Sequence, residues 1–188
     1  MKIEETKFPD VKILIPNIFQ DERGFFSESW NKEKLEKAEL DYEFVQDNRS
    51  VSVKAGTIRG LHFQSPPHAQ AKLVRCAQGS IFDVVVDFRN GSPTFGEWVG
   101  VELSAANAKQ LLIPTGFLHG FVTRTANTEV IYKCTAHYQP ECDGAVRFDD
   151  TDIGIDWGLD GMPCLSKKDS NAPILKYVES PFSWEEEE

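Results

Sequence analysis

The stretch Ile81-Phe82-Asp83-Val84-Val85-Val86-Asp87-Phe88 constrains the fold most. It alternates with a period of two, so Phe82, Val84, Val86 and Phe88 share one face while Asp83 and Asp87 share the other. That period belongs to a sheet strand. Shorter strand-like runs recur at residues 12–15, 24–29, 72–76, 97–103, 110–113, 120–123 and 129–136, separated by clusters of Gly, Pro, Asn and Asp. Many short strands at this spacing predict an all-β sandwich or jelly-roll barrel rather than alternating β-α units. One helix is expected at residues 31–40, where Asn31 can cap and Leu35 with Ala38 gives a minimal apolar face. Residues 149–181, punctuated by Gly154, Gly158, Gly161, Pro163 and Pro173, read as loop and turn wrapping the barrel near one mouth.

At 188 residues the chain suits one domain with a substantial core, with Glu185 to Glu188 as a frayed acidic tail. No apolar run approaches the roughly 20 residues that span a bilayer, and Met1-Lys2-Ile3-Glu4-Glu5 lacks the apolar core of an export signal, so a cytoplasmic location and no membrane partner are expected. The net charge of -10 disfavours nucleic acid as a partner, because phosphate binding needs Lys and Arg in excess. Cys76, Cys134, Cys142 and Cys164 form no C-x-x-C pair and are expected to be buried, reduced thiols. There is no G-x-G-x-x-G fingerprint, which disfavours a nicotinamide cofactor on its usual fold.

Chemistry concentrates in Arg59-Gly60-Leu61-His62-Phe63-Gln64, in Gln70-Ala71-Lys72-Leu73-Val74, and in Pro114-Thr115-Gly116-Phe117-Leu118-His119-Gly120-Phe121. Two histidines, an arginine and a lysine among apolar strand residues need partners or a ligand, since an unpaired buried charge is costly. If extended, the first run sends His62 and Gln64 to one face and Leu61 and Phe63 to the other. His62 then reads as a general base, as a satisfied core histidine, or as a metal ligand whose H-x-H partner position is occupied by Gln64, an uncommon ligand. Lys72 could stabilise an oxyanion or snorkel to solvent, and Arg59 could grip a diphosphate. Tyr132 and Tyr138 would share a face if the strand from Glu129 continues, one phenol donating a proton and the other offering a ring, or both merely filling the barrel. His119, placed in an apolar loop, could contact an anion or cap a turn. Asp169 reads by residue type as an exposed turn carboxylate.

Taken together these stretches resemble the RmlC-type dTDP-4-dehydrorhamnose 3,5-epimerases of the cupin superfamily. The resemblance runs almost end to end. It rests on Asp21-x-Arg23-Gly24-Phe25-Phe26-x-Glu28, Gln46-Asp47-Asn48-x-Ser50, the Arg59 to Gln64 run, Lys72-Leu73-Val74-Arg75, Phe82-Asp83-Val84-x-Val86-Asp87, Pro114-x-Gly116-Phe117-x-His119-Gly120-Phe121, Tyr132-Lys133-Cys134 and Leu165-Ser166-x-Lys168-Asp169. It implies a double-stranded β-helix, the cupin jelly roll, with a few short peripheral helices, forming a homodimer and working with no metal or organic cofactor.

The resemblance also assigns roles. His62 matches the family's base, Asp169 the carboxylate that orients it, Tyr132 the acid, Lys72 the residue that steadies the enolate, and Tyr138 the aromatic that stacks on thymine. Arg23, Glu28, Gln46, Asn48, Arg59, His119, Asp143 and Lys168 fall where the family contacts its nucleotide sugar, Arg23 and Glu28 reaching the partner subunit's site. Asp143 stands where many relatives have Glu, and Phe148 replaces the usual tryptophan. The implied activity inverts carbons 3 and 5 of dTDP-4-dehydro-6-deoxy-D-glucose. Its alternatives are a relative inverting one carbon of a dTDP-4-keto-6-deoxy sugar, a metal-dependent cupin oxygenase, and a non-catalytic sugar-nucleotide binding module.

Overall fold

The computed structural model describes residues 1–185 and consists mainly of strands and their connections. In chain order the strands are β1 (Lys2–Glu5), β2 (Lys12–Ile15), β3 (Ile18–Asp21), β4 (Gly24–Ser27), β5 (Gln46–Ser52), β6 (Ile58–Gln64), β7 (Lys72–Gln78), β8 (Ser80–Asp87), β9 (Arg89–Asn90), β10 (Trp98–Ser104), β11 (Gln110–Ile113), β12 (Phe117–Thr123), β13 (Thr128–Cys134), β14 (Asp143–Ala145) and β15 (Phe182–Ser183). Two short helices accompany them, α1 (Lys32–Glu36) and α2 (Lys167–Ser170). A six-stranded sheet has the order β1-β2-β11-β7-β13-β5, and a five-stranded sheet the order β10-β8-β12-β6-β14. Most neighbours are distant in sequence, because the chain passes back and forth between the sheets. This is the cupin-like jelly roll.

Alternation along each strand explains the layering. In β7, Val74 and Cys76 point between the sheets while Leu73 points outward. In β8, Ile81 and Val85 point inward while Val84 and Val86 point outward. The inner layer joins Val74, Leu111 and Val130 of the larger sheet to Ile81, Val85, Leu103 and Phe121 of the smaller. Both outer faces are covered as well. Leu35, Trp30, Tyr42 and Phe44 lie over Leu14, Leu73 and Leu112, and the C-terminal segment lays Ile153, Trp157, Leu165, Leu175 and Phe182 over Val84, Val86, Leu118 and Val122. The stretch read as loop at residues 149–181 is therefore a cover for one whole sheet, and it carries α2.

Burying both faces of β8 leaves Asp83 and Asp87 with no exposed surface. Asp87 is held by Arg89 (Nη2–Oδ2 2.8 Å), by the Ser92 hydroxyl at 2.6 Å and by the Thr94 hydroxyl at 2.6 Å, so this carboxylate locks a turn. Asp83 faces the interior and is taken up below.

Several boundaries differ from the sequence expectation. The helix ends at Glu36 rather than Leu40, because Glu39 takes a left-handed conformation (φ 61°) while the Leu40 N–H donates to the Leu35 carbonyl. The strand expected to run to residue 136 stops at Cys134, and His119 lies inside β12 rather than in a loop. Strands β1, β3 and β5 were not expected: KIEE and QDNRSVS are dominated by polar residues, and IFQD is only four residues long with its two apolar residues adjacent rather than alternating. Cys76 and Cys134 are buried and all four cysteines are free thiols, but Cys164 is exposed. Of the expected acidic tail, Glu186 to Glu188 lie outside the described residues. Among the described residues no helix is long and apolar enough to cross a membrane.

Two glycines set the spacing of the strands that carry the histidines. Gly60 has φ of 126°, and a Cβ added there would lie 2.5 Å from the Gly120 Cα; one added at Gly120 would lie 2.9 Å from the Arg59 carbonyl oxygen. The register between β12 and β6 shifts at this point, directly beside the His119–His62 pair. Gly60→Ala is expected to destabilise the protein by about 1–3 kcal/mol through overpacking and backbone strain. Gly161→Ala, with nothing within 4 Å of the new methyl, should stay within about 0.5 kcal/mol. Denaturant titration of both variants checks this, and equal midpoints would contradict it.

Candidate active site

The inner apolar layer gives way at one end to a cavity of about 200 Å³ between the two sheets. Arg59 and His62 on β6 and His119 and Phe121 on β12 line it from the smaller sheet. Ser50 on β5, Lys72 on β7 and Tyr132 on β13 line it from the larger one. Ser166, Lys168 and Asp169, from α2 and its cap, complete the lining. His62 and His119 are register partners across β6 and β12, and Lys72 and Tyr132 sit on neighbouring strands of the opposite sheet. The histidines and the tyrosine therefore stand on facing walls.

His62 Nε2 lies 2.6 Å from Asp169 Oδ1, and Asp169 is only 3% exposed. The expectation of an exposed turn carboxylate is overturned by the Ser166 cap. Its hydroxyl accepts from the Asp169 N–H at 3.0 Å and donates to Asp169 Oδ2 at 2.8 Å, turning the side chain inward. Burial works to raise the Asp169 carboxyl, but the bonds from His62 and Ser166 and the nearby charges outweigh it and hold the group below the usual carboxylate range. It is an anion at neutral pH, placed to accept from the imidazole and to stabilise an imidazolium.

His119 makes a second pair, its Nε2 2.7 Å from Asp83 Oδ1. Burial pushes this imidazole down, against the pull of Asp83. Burial likewise pushes the Lys72 ammonium down, opposed by the charges of Cys134, Asp83 and Asp143. It pushes the Tyr132 phenol up, so the phenol keeps its proton at neutral pH and can donate it.

Polar residues extend from the cavity as one hydrogen-bonded chain. Asp143 accepts from Lys168 Nζ at 2.5 Å and from the Tyr138 hydroxyl at 3.1 Å. The Tyr138 N–H donates to Gln46 Oε1 at 2.9 Å, Gln46 donates to Asn48 at 3.1 Å, and Asn48 reaches Cys134 Sγ at 3.5 Å. Because β13 ends at Cys134, Tyr138 does not share the inward face of Tyr132; it stands at the rim, 53% exposed, with its ring available for stacking. Arg59 is braced by Ser52 Oγ at 3.3 Å and the Val51 carbonyl at 3.2 Å.

Two expected site residues lie elsewhere within this chain. Arg23 is on the β3–β4 hairpin, paired with Asp21 at 2.6 Å, and Glu28 follows it, paired with Lys34 at 2.6 Å. Neither lines the cavity. Gln64, where an H-x-H pair would carry its second imidazole, points its amide at the backbone of His68, His137 and Gln139. Asp83, Ser166, Ser50 and Phe121 were not singled out from sequence. Asp83 had a readable signal, a carboxylate in the most apolar strand of the chain.

A family model for dTDP-4-dehydrorhamnose 3,5-epimerase matches residues 5–177. The chain belongs to that family. It is 52% identical over 176 residues to the dTDP-4-dehydrorhamnose 3,5-epimerase of Salmonella typhimurium, covering 93% of this chain and 96% of that protein. A crystal structure of the Bacillus anthracis dTDP-4-dehydrorhamnose 3,5-epimerase with TDP and PPi bound superposes with a TM-score of 0.90 at 50% identity, covering 93% of this chain and 99% of that one. The Legionella pneumophila RmlC, solved in complex with dTDP-4-keto-L-rhamnose, gives a TM-score of 0.94 at 42% identity over 98% of this chain and 99% of that one. This chain is an isomerase of the epimerase class.

Proposed function

We propose that the cavity inverts carbons 3 and 5 of dTDP-4-dehydro-6-deoxy-D-glucose to give dTDP-4-dehydro-L-rhamnose. The observation that carries the reading is the placement of His62 and Tyr132 on opposite sheets, facing one cavity. Both carbons lie beside the 4-keto group, so loss of either proton leaves an enolate on the same oxygen. One base and one oxyanion site can serve both steps. Inversion requires the proton to return from the other face of the ring, which demands a separate acid across the sugar.

In this reading His62 takes the proton, with Asp169 orienting the ring and stabilising the imidazolium. Lys72 stabilises the enolate oxygen in a desolvated wall, where its charge counts for more than in water. Tyr132 returns a proton to the opposite face. Arg59 and Lys168 bind the diphosphate, Tyr138 stacks on the thymine, and Gln46, Asn48, His119 and Asp143 contact the nucleotide sugar. Neither step changes oxidation state, so the proposed chemistry needs no electron carrier, and no metal takes part in any step described. The enzyme would act in the cytoplasm, where sugar nucleotides are made.

His62→Ala and Tyr132→Phe should each lower turnover by about 100-fold or more while remaining folded, the usual scale for general acid-base groups. Proton NMR of the substrate with wild-type protein in deuterium oxide should show exchange at both carbons and the doubly inverted product. Exchange at one carbon only would select a single-carbon epimerase and sink the 3,5 assignment, and no exchange would remove the catalytic reading.

The functional unit in this proposal is a homodimer. The β3–β4 hairpin exposes Phe19, Phe25 and Phe26 on its strands at 61%, 65% and 69%, an apolar surface that suits burial against a second copy. Arg23 and Glu28 lie on or beside it and would enter the partner's cavity. Mixing inactive His62→Ala with weakened Arg23→Ala protein should restore activity, since the mixed dimer contains one site with both residues intact. No gain on mixing, with subunit exchange demonstrated, would place Arg23 outside the partner's site.

A further inference from the structure

Asp83 has no role in the reaction as set out above, and its setting is unusual. It lies on β8 with no exposed surface, flanked on its own face by Ile81 and Val85. An anion in such a layer is costly unless compensated. Its only side-chain bond is to His119, through Oδ1 at 2.7 Å, while Oδ2 is buried with no hydrogen-bond partner among the described residues. The contrast with Asp87, four residues along the same strand and bonded by an arginine and two hydroxyls, is direct. Asp87 is satisfied as a structural lock, whereas Asp83 is half-satisfied and aimed at a cavity-lining ring.

We propose that Asp83 is a positioning residue for the epimerisation: it fixes the proton of His119 on Nε2, so that Nδ1 is presented as an acceptor to a hydroxyl of the bound sugar. With Asp83 Oδ1 as the acceptor of this 2.7 Å bond, Nε2 is the protonated nitrogen. In a neutral ring the lone pair is then on Nδ1. Burial works against a charge on the ring, and a neutral acceptor matches a hydroxyl rather than a phosphate oxygen. The charged and titratable groups facing the pair are Lys72 and His62 within the cavity and Cys76 on the opposing sheet, while Cys134, Asp143 and Lys168 act on Lys72. Apart from Asp83, none of these is hydrogen-bonded to His119, so the tautomer depends on Asp83.

The inference rests on the epimerase reading, and the test separates the two. Nitrogen-15 NMR of the wild-type protein, without substrate, should show a proton on His119 Nε2; a bare Nε2 would overturn the proposal whatever the activity. Asp83→Asn keeps the shape but can offer an N–H to the ring, which would move the proton to Nδ1. Turnover should then fall by about 10- to 100-fold, the range seen when carboxylates that orient liganding histidines are removed. In a His119→Gln background the same substitution should cost little further, because its effect passes through the imidazole. Full additivity of the two losses, or wild-type turnover in Asp83→Asn, would contradict the proposal. If Asp83→Asn does not fold, the wild-type tautomer alone decides. A wild-type protein inactive on the sugar would instead refute the epimerase reading and leave the tautomer result standing.

Discussion

Ionisable side chains cannot be inserted between two apolar sheets without partners, and this constraint organises the whole molecule. The inner layer is hydrocarbon for most of its length, and its charges are gathered at one end. There His62 is met by Asp169 and His119 by Asp83, each at hydrogen-bonding distance. Lys72 lies in a desolvated wall that works against its charge, opposed by the carboxylates of Asp83 and Asp143. A group left in that state gains most from a negative charge arriving beside it, which is what an enolate supplies. The fold thus concentrates its electrostatic cost where the chemistry recovers it.

The jelly roll also decides which residue faces which. Strands β6 and β12 are neighbours in one sheet, β7 and β13 in the other, and Arg59, His62, His119 and Phe121 from the first pair face Lys72 and Tyr132 from the second across the shared space. His62 and Tyr132, the base and acid proposed above, consequently face the cavity from different sheets. Asp169 is recruited differently. It arrives from the C-terminal cover, through a helix of four residues whose cap, Ser166, bonds both the Asp169 N–H and one oxygen of its carboxylate. The same segment that seals the outer face of the smaller sheet thereby completes the inner cavity.

Much of this was legible in the sequence, and the exceptions have physical reasons. Period-two alternation located β8 and most inward strands, since burying one face leaves a strong pattern. It failed for β5, an edge strand of alternating exposed and partly buried polar residues, and for β1 and β3, four-residue strands with no apolar alternation. His62 and Lys72 could be suspected because charge among apolar residues is costly, but Asp169 could not. Its burial depends on how residues 149–181 fold back, which local composition does not encode. Only the resemblance to a known family marked it. The glycines of Arg59-Gly60-Leu61-His62 and His119-Gly120-Phe121 were visible as motifs, yet their reason, the near contact of two backbones, is tertiary. Arg23 and Glu28, marked by the resemblance alone, do not line the cavity of this chain.

The central claim is that deprotonation and reprotonation belong to opposite walls. The most direct test follows Tyr132→Phe in deuterium oxide by proton NMR, reading isotope exchange and inversion separately. With His62 intact and the facing acid removed, exchange beside the keto group should continue, because the base can return solvent deuterium to the face it left, while inverted product accumulates far more slowly than exchange. Exchange and inversion falling together by the same factor would contradict the division of labour between the two sheets.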